Sequence, residues 1–296
     1  MKFLKGFGLA ILSLLLFLSL SVFGLVLTLN QTFLNPDFVV SQVDRLDIPS
    51  LAGDMLSEQI PPEAEEFMVE VVNDTIADLE PWMKEQARDG IYSFYDYLEG
   101  RSQSLSLVIS LEPVKESLRD NLREALLQSP PPELAGLPPA EIERYLDEYY
   151  QQISQGIPST FEFTEASLDP WVMAQLEQGR QVIGYLHLGY NALIGLILVL
   201  ILGIVLINRE VKGSTRGLGS TFLSCGVLSY ASVLIAKNVA GTQLTQLDMP
   251  VYLQTWIPQF LADTLAPLEM YGIGLMVAGV ALLVVSFVYK RRQTEF

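Results

Sequence analysis

Four side chains in this sequence are suited to acid–base or ion-binding chemistry at a single depth of a membrane: His187, Asn191, Lys237 and Glu269. Counting about twenty residues from the nearest basic markers places His187, Lys237 and Glu269 at the outer ends of three apolar stretches, with Asn191 one turn deeper. Ionisable groups at membrane depth are costly and often mark a ligand or ion path, so the four define a candidate polar pocket. The plainer alternative makes them boundary residues at the headgroups, with Lys237 snorkelling towards water, and the sequence favours it. Lys237 and Glu269 carry opposite charges and are expected to pair.

Other chemistries have no foothold in the sequence. One histidine and one cysteine leave no His-Glu-x-x-His helix, no Cys/His metal cluster and no disulfide within the chain. Phosphate loops of the Gly-x-x-x-x-Gly-Lys-Ser/Thr kind and Gly-x-Ser-x-Gly nucleophile elbows are also missing. Ser-Lys or paired-carboxylate chemistry has no spacing signature. The expectation is a protein that is not an enzyme and needs neither cofactor nor metal.

The elements that must carry the four residues are membrane helices. The 296 residues are 50% hydrophobic and their mean hydropathy is +0.34, too apolar for a soluble chain of this size. Four stretches lack charge: 6–36, 181–208, 217–236 and 270–289. Each supplies the ~20 residues that cross ~30 Å of hydrocarbon as a helix. At 100° per residue, Asn191 shares a face with Gly184 and Gly195, and Lys237 shares one with Gly219, Gly226 and Tyr230. Gly272, Gly279 and Ser286 line a third. Small-residue faces let membrane helices approach closely, so the polar groups are expected to point into the bundle.

The first stretch follows Lys2 and Lys5 and is longer than a signal-peptide core, with no Ala-x-Ala site, so it reads as a retained anchor. Lys2 and Lys5, then Arg209, Lys212 and Arg216, then Lys290, Arg291 and Arg292 fall on one side of a four-span layout. The positive-inside rule makes that side the cytoplasm, with both termini there. Residues 238–268 hold no Lys or Arg and are expected to form an outer loop, in which Tyr252, Trp256 and Phe260 suit a short interfacial helix.

Of 34 acidic residues only Glu210, Asp248, Asp263, Glu269 and Glu295 lie outside 30–183, whereas half of the 18 basic ones do. The segment 30–183 therefore holds 29 acids against nine bases, a surface that repels nucleic acid and anionic headgroups. It has no Asp-x-Asp-x-Asp calcium loop. Its helix starts are signalled by Asn35-Pro36, Glu80-Pro81, Glu112-Pro113 and Asp169-Pro170. Val114, Leu118, Leu122 and Leu126 recur every fourth position, and Ile142, Tyr145, Leu146, Tyr149 and Ile153 follow proline breaks at 130–132 and 138–139. Together they predict a helical hairpin. Leu105, Leu107 and Ile109 alternate with polar or outward residues, as do Phe161 and Phe163 around Glu162, predicting two strands that pair at its base. The aromatic run 91–98 reads as core rather than a ligand-stacking box. From Trp171 to Asn208 no breaker intervenes, so a helix of about 57 Å is expected.

The resulting expectation is a mainly α membrane protein with four transmembrane helices and an α-rich extracytoplasmic domain that has a minor two-stranded β element. Its parts are an anchor (1–29), the acidic outer domain (30–183), and a three-helix membrane region (184–296) with a short cytoplasmic loop (208–216) and the outer loop (238–268). Its partners would be the lipid bilayer and a protein bound by the outer domain, with no nucleic acid, in a binding or scaffolding role. One span, a large outer domain and three more spans also resembles the layout of MacB- and FtsX-type transporter subunits, in topology alone. The short 209–216 link leaves little structure to engage an ATPase.

Overall fold

The computed structural model describes residues 2–57, 66–128, 136–208, 210–244 and 250–288. It is mainly helical, with one two-stranded sheet and four helices long and apolar enough to cross a membrane. The chain divides into two compact units, residues 1–38 with 181–296, and residues 39–180. The basic markers Arg209, Lys290, Arg291 and Arg292, the prolines 130–132 and Asp248 lie outside the described residues.

The first unit is built from α1 (Lys2–Gln31), α9 (Val211–Leu244), α10 (Val251–Val288) and most of α8 (Pro170–Asn208). Its apolar centre gathers Leu16 and Leu20 of α1, Ile197, Leu200 and Ile204 of α8, Leu218 and Cys225 of α9, and Leu275 of α10. Two of the hydroxyls buried among these helices are satisfied along their own backbone, Thr28 donating to the Gly24 carbonyl at 2.8 Å and Thr32 to that of Thr28 at 2.7 Å, whereas the buried Thr264 hydroxyl has no partner among the described residues. Gly24 leaves room for Tyr271, whose ring carbons lie 2.7 and 2.8 Å from where a Cβ would stand. The Tyr271 hydroxyl reaches past it and donates to the Leu20 carbonyl at 2.8 Å.

α9 and α10 form the tightest pair. A Cβ on Gly226 would sit 2.6 Å from the Gly272 carbonyl oxygen, and one on Gly279 2.6 Å from the Leu223 amide nitrogen. Backbone meets backbone along this seam, as the small-residue faces on these two helices imply. Ser286 donates to the Lys212 carbonyl at the far end.

The outer loop expected at 238–268 is mostly helix instead. α9 continues to Leu244 and α10 begins at Val251, passing through Pro258 and Pro267. Proline removes one donor and clashes with the carbonyl four residues earlier, which marks it as a helix end in sequence. Packing against neighbours overrides that signal here: Phe260 stacks on Trp256 at 4.9 Å and meets Phe33 edge-on at 6.2 Å. Similarly, α9 starts at Val211, leaving only residues 209–210 between α8 and α9.

The second unit holds α3 (Ile48–Ser57), α4 (Glu66–Asp78), α5 (Glu80–Leu98), β1 (Ser106–Ser110), α6 (Glu112–Gln128), α7 (Pro139–Ser154) and β2 (Thr160–Thr164); α2 (Pro36–Asp44) enters it from the first unit. Two of the four proposed helix starts carry side-chain caps. The side-chain Oδ1 atoms of Asn35 and Asp169 accept from the backbone amides of Asp37 and Trp171 at 3.0 and 2.8 Å. Glu80 and Glu112 instead lie inside the first turns of their helices.

The helical hairpin forms as its periodicity implies. Leu122 and Leu126 of α6 and Leu146 of α7 bury with Val71 of α4, each burial contributing about 1.5–3 kcal/mol. Tyr145 departs from that expectation: it is 44% exposed and stacks on Tyr149 at the edge. Arg119–Asp147 and Arg123–Glu143 ion pairs bridge the hairpin's solvent side. β1 and β2 pair antiparallel, with Leu107 opposite Phe163 and Ile109 opposite Phe161, so the expected strand pairing is present. Tyr95 and Tyr97 of the aromatic run are buried, Tyr97 under the Arg180 guanidinium. α8 is one unbroken helix of 39 residues.

Candidate functional site

The four residues singled out by sequence separate into a pair and two outliers. Lys237 extends from α9 and Glu269 from α10, and the ammonium donates to the carboxylate at 2.5 Å. The glycine seam explains how they meet. With Gly226 and Gly272 in backbone contact, two long side chains, Lys237 about three turns beyond Gly226 and Glu269 less than one turn from Gly272, can bridge the same pair of helices. Both are about two-thirds buried. Such a pair neutralises two charges that would each be costly alone in a low dielectric.

His187 and Asn191 do not join them. Both are exposed on α8, and Gly184 and Gly195 beside them have nothing within 4 Å. The inward face of α8 is Ile197, Leu200 and Ile204; at 100° per residue Asn191 and Gly195 lie roughly 120° and 160° around the helix from Ile197. Apolar volume, rather than the small residues, decides which side of α8 meets α1. The expectation that Asn191 points into the bundle therefore fails, and the ring reduces to one ion pair.

A second site escaped the sequence reading. In the 39–180 unit one face of the sheet carries Leu107, Ile109, Phe161 and Phe163, and the other Ser106, Val108, Ser110 and Glu162. The apolar face turns to α5, where Gly90 sits against Leu107: a Cβ there would be 3.2 Å from the leucine methyl. A groove opens on either side of this close approach.

One groove, of about 460 Å³, runs between Trp82, Met83 and Gln86 of α5 and Ile109, Leu111 and Phe161. The other, of about 400 Å³, runs between Ile91, Phe94 and Tyr95 and Leu105 and Phe163. Ala87, Gly90 and Leu107 line both. Among the described lining residues, Gln86 is the one with a polar side chain beside apolar and aromatic walls in the first, and Tyr95 the one in the second. Burial, followed by the nearby Glu99 carboxylate, raises the Tyr95 pKa above its ordinary value, so the phenol stays neutral. The available signal was Gly90 in the middle of an otherwise well-patterned helix, a position that often marks close approach.

No family model, curated protein or solved structure matches this chain.

Chemically, the grooves can hold an apolar group and orient it through very few hydrogen bonds. Among the described residues no group of three His, Cys, Asp or Glu side chains is arranged to hold a metal. A small polar hollow of about 100 Å³ lined by Glu70, Asp74 and Glu124 is occupied at its edge by Asn121, whose amide donates to Asp78 at 2.9 Å. Thr32 and Thr75, the last residues of the glycosylation-type triplets Asn30-Gln31-Thr32 and Asn73-Asp74-Thr75, are buried and donate to carbonyls one turn back.

Proposed function

We propose that this chain is a multi-pass membrane protein with both ends in the cytoplasm, whose residues 30–183 stand outside it and bind an apolar segment of a partner protein between α5 and the β1–β2 sheet. One observation carries the reading: two adjoining grooves of about 460 and 400 Å³ with almost wholly apolar walls. Apolar concavities of that size on a small domain characteristically receive a ligand or partner. The orientation rests on the distribution of Lys and Arg. The acidic exterior supports a partner whose rim is basic or neutral. The role is binding, without a reaction. The MacB- and FtsX-type layout gains no support from an α8–α9 connection of two residues.

The test is site-specific photo-crosslinking in intact cells. A photoreactive residue replacing Gln86 in the groove should capture a discrete protein that one replacing Glu116, exposed on α6, does not. Capture should fall with Gly90→Val, which fills the contact between the grooves. Identical adducts at the two positions would refute the groove. Failure of a cysteine at Glu116 to react with an impermeant maleimide in intact cells would refute the orientation.

A further inference from the structure

The outward face of α8 is patterned. Gly184, Leu188, Asn191, Gly195, Leu198 and Leu202 follow one another at intervals of four, three, four, three and four residues. That is the a/d spacing of a helix-pairing heptad, with Leu188, Gly195 and Leu202 at a positions and Gly184, Asn191 and Leu198 at d positions, and an asparagine in such a membrane seam hydrogen-bonds across it. All six are exposed, Leu188 at 70%, Leu198 at 62% and Leu202 at 57%. The opposite stripe of the same helix is the one that packs in the apolar centre.

Asn191 supplies the reason why this seam is not a lipid-facing surface. It stands about 27 Å along the helix axis from residue 209, near the outer edge of the ~30 Å of hydrocarbon and one turn deeper than His187. Among the described residues its side chain has no hydrogen-bond partner, and lipid offers none. A carboxamide both donates and accepts, so its simplest partner at equal depth is another carboxamide. From Gln181 to Asn208 the chain bears no Lys, Arg, Asp or Glu, so two such faces meet without like-charge repulsion.

We infer that α8 pairs with α8 of a second copy of this chain. A two-fold axis along the membrane normal brings Asn191 against Asn191 of the second copy, with Gly184 and Gly195 allowing close approach and the leucines interdigitating. The inference rests on α8 crossing a bilayer, part of the placement proposed above, and goes beyond the binding role.

The experiment uses the full chain, with Cys225 replaced by alanine and two differently tagged copies co-expressed. Retention in carbonate-washed membranes is scored first, because loss from them overturns the membrane placement along with this inference. In retained protein, oxidation should link the two tags several-fold more at Leu188→Cys, Leu198→Cys and Leu202→Cys than at Leu196→Cys and Ile207→Cys, which are exposed but off the seam. Asn191→Leu should weaken the dimer about threefold to tenfold, the range of an interhelical hydrogen bond, and Asn191→Gln should restore it. Equal yields on and off the seam, linkage only to a different protein, or an Asn191→Leu dimer as tight as the parent would each overturn the inference while leaving the membrane placement standing.

Discussion

Replacing Gly226 by alanine places a methyl 2.6 Å from the Gly272 carbonyl oxygen and 2.7 Å from the Met276 amide nitrogen. Ordinary contact begins near 3.4 Å, so the shortfall is about 0.8 Å, against backbone atoms that cannot rotate aside. α9 and α10 must part locally by a comparable distance, and a gap of 0.5–1 Å forfeits roughly a quarter to a half of the dispersion at each lost contact. Overpacking of this kind costs about 1–3 kcal/mol. The better helix propensity of alanine returns about 0.5–1 kcal/mol, for a net loss of up to about 2.5 kcal/mol. Gly279→Ala, facing the Leu223 amide at 2.6 Å, should behave alike. Gly274 has nothing within 4 Å, so Gly274→Ala should be neutral or slightly stabilising. Reversible unfolding in mixed micelles, followed by circular dichroism, measures all three. If Gly226→Ala proves no less stable than Gly274→Ala, the two helices do not meet backbone to backbone and the reasoning from the seam is wrong.

The Lys237–Glu269 pair should be non-additive. Lys237→Met and Glu269→Gln should each cost about 1–3 kcal/mol by stranding the other group, less than a fully buried pair because both remain partly accessible, while the double variant should cost less than the sum. The same micelle unfolding assay run as a double-mutant cycle checks this, and strict additivity would mean that the side chains do not interact. Asp47 tests an electrostatic detail of α3. The Ser50 hydroxyl and amide both donate to its carboxylate and lower its pKa below 3.8. A group whose folded pKa is depressed contributes stability that is present above its unfolded pKa and lost as pH falls through the folded one, so this contribution should vanish only in strong acid. Ser50→Ala should move the Asp47 carboxyl resonance in an NMR titration to a higher midpoint, and an unmoved midpoint would remove the serine as the cause.

Hydropathy by itself determined the four long helices, because the bilayer needs a run of apolar residues that no other structure uses. Strict alternation likewise determined β1 and β2 and their pairing, and fourfold recurrence determined the α6–α7 hairpin. These features are local or depend on one period, so sequence carries them in full. Asn191 shows where that stops. Its neighbours Gly184 and Gly195 looked like a contact face, but which face of a helix is buried depends on what the other helices offer, and α1 offers leucine to Ile197, Leu200 and Ile204. α10 shows a related limit: it runs through Pro258 and Pro267, local breakers by chemistry, and Phe260 beside them meets Phe33, more than two hundred positions away in sequence. The apolar grooves could not be read at all, since an empty space belongs to no residue. They flank the close approach of Gly90 of α5 to Leu107 of β1, where the larger side chains on either side do not close the gap, a matter of shape that only the assembled domain decides.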